Sequence, residues 1–135
     1  MAEPKKILIV EDDTVLAGMY KKLLENHGFH VVTAEDGEAG LLTAVSEKPD
    51  LVLLDIRMPK MDGLTMMDNL RKNEWGKTVP IIIFTNLDTN EEMLVQIVKG
   101  MPTFYLVKSN TRPETVLEKV DEVLNPLGNG KDTIS

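Results

Sequence analysis

Ile7-Leu8-Ile9-Val10-Glu11-Asp12-Asp13 sets four aliphatic residues directly against three acids. Four apolar residues in a row are too few for a helix, and the β-branched Ile7, Ile9 and Val10 suit a strand buried on both faces. Working outward, short apolar segments recur at residues 31–34, 51–54, 79–85 and 104–107. Between them, apolar residues return at helical spacing: Val15, Leu16, Met19, Leu23 and Leu24, then Ala39, Leu41, Leu42 and Val45. Strand and helix therefore alternate. That alternation predicts an α/β fold in which a five-stranded parallel sheet carries helices on both faces.

Punctuation supports these boundaries. Asn26-His27-Gly28 ends the first helix, with Gly28 able to take a left-handed cap, and Lys48-Pro49-Asp50 closes the second. Asp62-Gly63 opens a helix through Leu64, Met67 and Leu70, and Thr89-Asn90-Glu91-Glu92 supplies the cap and acidic first turn of another. Arg112-Pro113-Glu114 starts the last helix, with Val116, Leu117, Val120, Val123 and Leu124 as its buried stripe, and the helix ends before Pro126. One domain over residues 1–125 is expected, followed by a short, polar, mobile tail at 126–135. That tail favours a stand-alone protein over an excised one.

A chain of 135 residues, 42% hydrophobic, can build one core without staples. Its net charge of −7 repels a phosphate backbone, which disfavours direct nucleic-acid binding. With no cysteine, disulfide scaffolds, thiolate metal sites and cysteine nucleophiles are excluded. No aliphatic run approaches the roughly 18 residues of a membrane span, and no apolar signal segment follows the basic start. A soluble, cytoplasmic protein without a membrane role is expected.

In an open parallel sheet, ligands sit beyond the carboxyl ends of the strands. Those ends carry Glu11-Asp12-Asp13, Asp55, Thr85 and Lys108. Several carboxylates in one crevice oppose each other's ionisation unless a cation joins them, and an oxygen-only set with room for water and phosphate oxygens suits Mg²⁺. Alone, the acidic run reads equally as a solvated turn and helix cap. Asp55 could be metal ligand, nucleophile or cap; a carboxylate can attack phosphorus to give an aspartyl-phosphate. Lys108 could pair with Asp55 at rest and with a phosphoryl oxygen afterwards, and Thr85 could donate its hydroxyl to the same group. Each alone is also an ordinary strand-end residue. No glycine-rich phosphate loop is present, and His27 and His30 offer no catalytic set, His27 being read as a dipole partner near a helix end. Trp75 is read as a packing or surface residue.

Ile7 to Asp13, Leu53-Leu54-Asp55-Ile56-Arg57-Met58-Pro59-Lys60-Met61-Asp62-Gly63, Ile81-Ile82-Ile83-Phe84-Thr85 and Tyr105-Leu106-Val107-Lys108 together resemble the receiver domain of two-component response regulators. The resemblance spans residues 5 to about 125 and implies the flavodoxin-like strand order 2-1-3-4-5. By position, Asp55 resembles the phosphoacceptor, Asp12 the direct Mg²⁺ ligand and Glu11 an acid acting mainly through metal-bound water. Arg57 would offer its backbone carbonyl to the ion. Thr85 and Lys108 resemble the phosphoryl-contacting pair, and Tyr105 the aromatic switch coupled to Thr85.

The chain departs from that pattern in three places. Ser109 follows Lys108 where proline is usual, so the usual cis X-Pro bond is not expected here. Asn86 follows Thr85 where a smaller residue is typical, crowding the phosphoryl site or adding a hydrogen bond. Gly100-Met101-Pro102-Thr103-Phe104 replaces a more usual acidic stretch before Tyr105.

The implied function is a phosphorylation-dependent switch, charged on Asp55 by a sensor histidine kinase or histidine phosphotransfer protein, and not a turnover enzyme. Met93-Leu94-Val95-Gln96-Ile97-Val98 is apolar nearly all round, so the fourth helix, with the fifth strand, is expected to meet a downstream protein partner. Two rival readings are a phosphorylation-independent adaptor and a Mg²⁺-dependent aspartyl phosphatase. The second wants an acid two residues after its nucleophile, where Arg57 stands.

Overall fold

Short apolar runs become strands and the amphipathic stretches between them become helices. In chain order these are β1 (Lys6–Val10), α1 (Thr14–Glu25), β2 (His30–Ala34), α2 (Gly37–Glu47), β3 (Leu51–Leu54), α3 (Gly63–Lys72), β4 (Ile81–Thr85), α4 (Glu91–Gly100), β5 (Phe104–Val107) and α5 (Pro113–Leu124). All strand pairings are parallel, in the order β2-β1-β3-β4-β5, which is the flavodoxin-like arrangement expected. The computed structural model describes residues 3–86 and 88–126. Of the tail expected at 126–135, all but Pro126 lies outside the described residues.

Side chains alternate along the central strands, so β1, β3 and β4 feed two apolar layers. Leu8, Val10, Val52, Leu54, Ile81 and Ile83 meet α2, α3 and α4 through Ala44, Met66, Met67, Leu70 and Ile97. On the other side, Ile7, Ile9, Leu51, Leu53, Ile82 and Phe84 meet α1 and α5 through Ala17, Tyr20, Leu24, Val116 and Val120. Each fully buried aliphatic side chain contributes roughly 1.5–3 kcal/mol, so this doubly covered sheet anchors the strand ends firmly.

Helix starts are set by side-chain caps: Asp13 accepts from Leu16 N–H, Asp36 from Ala39 N–H, Asp62 from Thr65 N–H and Asn90 from Met93 N–H, all at 2.8–3.0 Å. Gly28 takes the left-handed conformation beyond α1, with φ of 93°. His27 Nδ1 lies 3.1 Å from the Leu23 carbonyl, consistent with its place at a helix end.

Four expectations are corrected in part. Of the residues read at helical spacing in α1, Leu24 is buried and Leu16 and Leu23 pack against the core, but Val15 is 82% exposed and Met19 is exposed, and Ala17 and Tyr20 complete the buried face. Likewise Leu42 and Val45 are exposed and α2 buries Gly40 and Ala44. Both helices carry apolar residues on two sides, and small residues, Ala17 in α1 and Gly40 and Ala44 in α2, are among those buried. The fourth strand starts at Ile81, not Val79, because Pro80 has no N–H to give; the Pro80 carbonyl accepts from Val52 N–H instead. In α5, Val116 and Val120 are buried as expected, but Leu117, Val123 and Leu124 are only half-buried.

Candidate functional site

β1, β3, β4 and β5 are neighbours and parallel, so their carboxyl ends open on one edge of the sheet. The registers Val10–Leu54 and Thr85–Val107 bring Glu11 and Asp12, Asp55, Thr85 and Lys108 to that edge. Backbone bonds continue one residue past the strands: Glu11 N–H donates to the Ala34 carbonyl and Asp55 N–H to that of Val10, each at 3.0 Å. Both acids are thereby fixed at the strand tips.

Glu11, Asp12 and Asp55 each present an oxygen within 4.8 Å of the others. Glu11 and Asp55 are buried; Asp12 is exposed. Lys108 Nζ reaches between the buried pair, 2.6 Å from Glu11 Oε1 and 3.1 Å from Asp55 Oδ2. The remaining oxygens are held by backbone: Glu11 Oε2 accepts from Asp13 N–H at 3.1 Å, and Asp55 Oδ1 from Ile56 N–H at 2.8 Å. Lys108 also stands 5.9 Å from the Phe84 ring, itself edge-on to Tyr20.

Three carboxylates facing one ammonium leave an excess of negative charge. Burial pushes the Glu11 carboxyl up from its ordinary range, against the pull of the Lys108 and Asp13 hydrogen bonds. Burial works to lower Lys108, but its bonds to Glu11 and Asp55 outweigh it and hold the ammonium above its usual value. An all-oxygen, net-negative set with one member open to solvent fits a hard divalent cation such as Mg²⁺. Asp12, Asp55, Arg57, Thr85, Asn86, Asp88 and Lys108 line the open crevice around it.

Every candidate read from the sequence except Tyr105 thus meets at one rim. Tyr105 lies level with Ile83, packed against the layer under α3 and α4 and outside the crevice lining. Burial, with the charge of Asp88, raises its phenol above the ordinary value. Asp13 separates from the other two acids of its run, serving as the α1 cap.

Sequence reading missed the Glu11–Lys108 contact, shorter than the Lys108–Asp55 pair it anticipated. It also did not join two residues it had noted separately: Ser109 N–H donates to Asn86 Oδ1 at 2.7 Å. No sequence signal marks this bond, which depends on the Thr85–Val107 register that sets Asn86 beside the turn after β5. No peptide bond among the described residues is cis, Lys108–Ser109 included. Gly63 packs so tightly beneath Asp55 that a Cβ there would lie 2.1 Å from the Asp55 carbonyl oxygen.

Comparison with known proteins agrees with this geometry. The family model for the response regulator receiver domain matches residues 7–121. The alkaline phosphatase synthesis transcriptional regulatory protein PhoP of Bacillus subtilis is 34% identical over 120 residues, covering 89% of this chain and 48% of PhoP. The chain therefore spans about half the length of the first curated relatives it matches. Among solved structures, the chemotaxis protein CheY4 of Vibrio cholerae is 30% identical with a TM-score of 0.80, over 90% of this chain and 99% of that one. A chain of the CheX–CheY–BeF3–Mg²⁺ complex from Borrelia burgdorferi is 28% identical with a TM-score of 0.78, over 89% of each chain. The strand order, the acid-lined crevice and the match over 7–121 agree: this chain belongs to the response regulator receiver domain family.

Proposed function

We propose that this chain is a phosphorylation-dependent signalling switch that accepts a phosphoryl group on Asp55. The observation that carries the reading is the meeting of Glu11, Asp12, Asp55 and Lys108 at one strand edge, with the three acid oxygens within 4.8 Å and Lys108 bridging two of them. Glu11, Asp12, Asp55 and the Arg57 backbone carbonyl would hold Mg²⁺. When bound, the ion neutralises phosphoryl oxygens and lets a carboxylate approach them.

A phosphohistidine of a sensor kinase or phosphotransfer protein is the donor. An Asp55 carboxylate oxygen attacks the phosphorus of a phosphohistidine whose other ring nitrogen is protonated, a P–O bond forms, and the P–N bond breaks with its electron pair returning to the ring, which leaves as neutral imidazole. Asp55 becomes an acyl phosphate bearing the dianionic phosphoryl group, and the carboxylate's own charge is balanced by the positive charge that the departing ring loses. Lys108, already 3.1 Å from Asp55, follows the new oxygens, and the Thr85 hydroxyl donates to them. This is a switch and not a turnover enzyme, acting in the cytoplasm; among the described residues no helix is long and apolar enough to cross a membrane.

The new dianion favours the conformer that contacts it best. Moving a two-state element from 1:99 to 99:1 takes about 5.5 kcal/mol of differential interaction, so metal, hydroxyl and ammonium act together. Tyr105, on the same strand pair as Thr85, would carry the change to α4 and β5. Leu94, Val95, Val98 and Met101 are exposed there, apolar surface suited to a downstream protein partner. Direct nucleic-acid contact is disfavoured by the charge of −7. The CheX–CheY–BeF3–Mg²⁺ complex supports the reading by likeness.

Incubation with Mg²⁺ and acetyl phosphate tests this. The wild type gains about 80 Da, the mass of one phosphoryl group, lost in base, and Asp55→Asn gains nothing. Equal labelling of Asp55→Asn, or none of the wild type, overturns the assignment.

A further inference from the structure

The β4–β5 ladder ends at the Thr85–Val107 register. Beyond it, Lys108–Asn110 forms one 3₁₀ turn, a weak structure whose orientation depends on what is tied to it. Two side chains tie it. Thr111 Oγ1 donates to the Val107 carbonyl at 2.7 Å, and Asn86 Oδ1 receives the Ser109 N–H at 2.7 Å. Asn86 thus extends the ladder by one rung, its amide oxygen standing in for a strand carbonyl.

The rung joins the residues next to Thr85 and Lys108. Lys108 must carry its ammonium into a narrow place, between Glu11 Oε1 and Asp55 Oδ2. Rotation of the turn would swing that long stem out of place. A proline at position 109 would fix its own φ and bring no N–H to satisfy; serine does neither. The restraint comes instead from the neighbouring strand.

We propose that Asn86 is a positioning residue, which through the Ser109 amide fixes the turn bearing Lys108 to the strand end bearing Thr85. The hydroxyl and the ammonium then approach a phosphoryl group at a set spacing. This rests on the reading of Asp55 as phosphoacceptor. Asn86 itself need not touch the phosphoryl group.

The test uses the full chain with Asn86→Leu, which removes the acceptor at nearly equal volume, with Asn86→Asp, which keeps it, and with Ser109→Pro, which removes the donor. The readouts are the acetyl phosphate labelling rate at saturating Mg²⁺, the Mg²⁺ dissociation constant by calorimetry and exchange of the Ser109 amide. Loss of one hydrogen bond of ordinary strength predicts about a three- to tenfold slower labelling in Asn86→Leu. Mg²⁺ affinity does not fall, because Asn86 bonds none of the groups that would hold the ion and a displaced Lys108 only withdraws a competing cation from Glu11 and Asp55. Ser109 exchange accelerates in Asn86→Leu and is protected in Asn86→Asp. In the Ser109→Pro background, Asn86→Leu changes labelling no further.

Wild-type labelling by Asn86→Leu, a parallel loss of Mg²⁺ affinity, or an equal loss in the Ser109→Pro background overturns the proposal. Should the wild type itself take no phosphoryl group, the functional reading fails separately. Ser109 exchange then still decides the restraint: unchanged exchange in Asn86→Leu refutes it. If Ser109→Pro does not fold, the contrast between Asn86→Leu and Asn86→Asp in exchange decides in its place.

Discussion

Lys108 Nζ stands 2.6 Å from Glu11 Oε1, closer than its 3.1 Å from Asp55 Oδ2. The ammonium is therefore shared, and its nearer partner is not the proposed phosphoacceptor. The ammonium thus lies farther from Asp55 than from Glu11, and Asp12 stands outside the bridge. A divalent cation and the Lys108 ammonium compete to neutralise the same acids.

That competition makes Lys108→Met informative. Without the ammonium, Glu11 and Asp55 stay buried side by side with no counter-charge. Breaking a buried pair on one side costs about 3–5 kcal/mol, and the partial exposure of Lys108 reduces this to about 2–3 kcal/mol. Mg²⁺ supplies the missing charge, so the loss shrinks when the ion is present. Urea unfolding with chelator and with Mg²⁺ measures both values. An identical loss under the two conditions would show that charge neutralisation is not what Lys108 provides.

Arg71 stabilises the opposite end of the α3–α4 region by a different route. Its guanidinium donates to the carbonyls of Gly76, Val79, Gly100 and Met101, at 2.9, 2.7, 2.8 and 3.2 Å, and burial lowers its pKa. It thereby closes the carboxyl end of α4 and the loop before β4, where the helix dipole favours a cation. Arg71→Met leaves those carbonyls without this donor and costs about 3 kcal/mol. Lys in its place cannot form the fork and recovers less than half of that. Denaturation midpoints check it, and a Lys variant as stable as wild type would refute the fork.

The strands were legible because burial on both faces leaves almost nothing polar in them: Ile81, Ile82 and Ile83 are each inaccessible to solvent. The site was legible for a related reason. Once strands are parallel and adjacent, residues after each one converge, so Asp12, Asp55, Thr85 and Lys108 follow from position alone. Their order in the sheet did not follow from the residues; the family resemblance supplied it. Helix phase was less readable. In α1, Val15 and Met19 are as apolar as the buried Tyr20 and Leu24, so periodicity could not choose a face, and Ala17 marked the sheet side only through its small size.

Contacts between distant strands' loops were not readable at all. Glu11–Lys108 and Asn86–Ser109 need the register of two ladders, and Arg71 needs the path of the loop after α3. The left-handed position ending α4 is another such case. Gly100 would suit it, yet Gly100 stays in the helix, where an added Cβ would lie 2.1 Å from Met67 Cε, and Met101 takes φ of 49°.

Two glycine substitutions separate helix propensity from close packing. Gly18 lies mid-way along α1 with nothing within 4 Å of an added Cβ, so Gly18→Ala raises stability by about 0.5–1 kcal/mol. Gly63→Ala forces a methyl against the Asp55 carbonyl, costs at least about 2 kcal/mol and shifts the backbone bearing Asp55. Mg²⁺ affinity therefore falls in Gly63→Ala and holds in Gly18→Ala. Chemical denaturation with calorimetric Mg²⁺ titration checks both, and unchanged affinity in Gly63→Ala would detach that glycine from the site.

Stability falls at alkaline pH because the fold raises the pKa of three groups. Burial raises the phenols of Tyr20 and Tyr105, aided by the charges of Glu114 and Asp88, and the Lys108 ammonium is held up by Glu11 and Asp55 against the opposing effect of burial. In the unfolded chain these groups lose protons from about pH 10 upward. Above that pH and below their folded values, the folded chain binds more protons than the unfolded one, so stability falls as pH rises. It is fully present below about pH 10 and lost beyond. Tyr20→Phe keeps the ring against Phe84 but has no proton to lose, so its decline between pH 9 and 11 is shallower. Urea midpoints across that range measure the slope. Equal slopes for wild type and Tyr20→Phe would remove Tyr20 from the alkaline transition and leave Lys108 and Tyr105 to account for it.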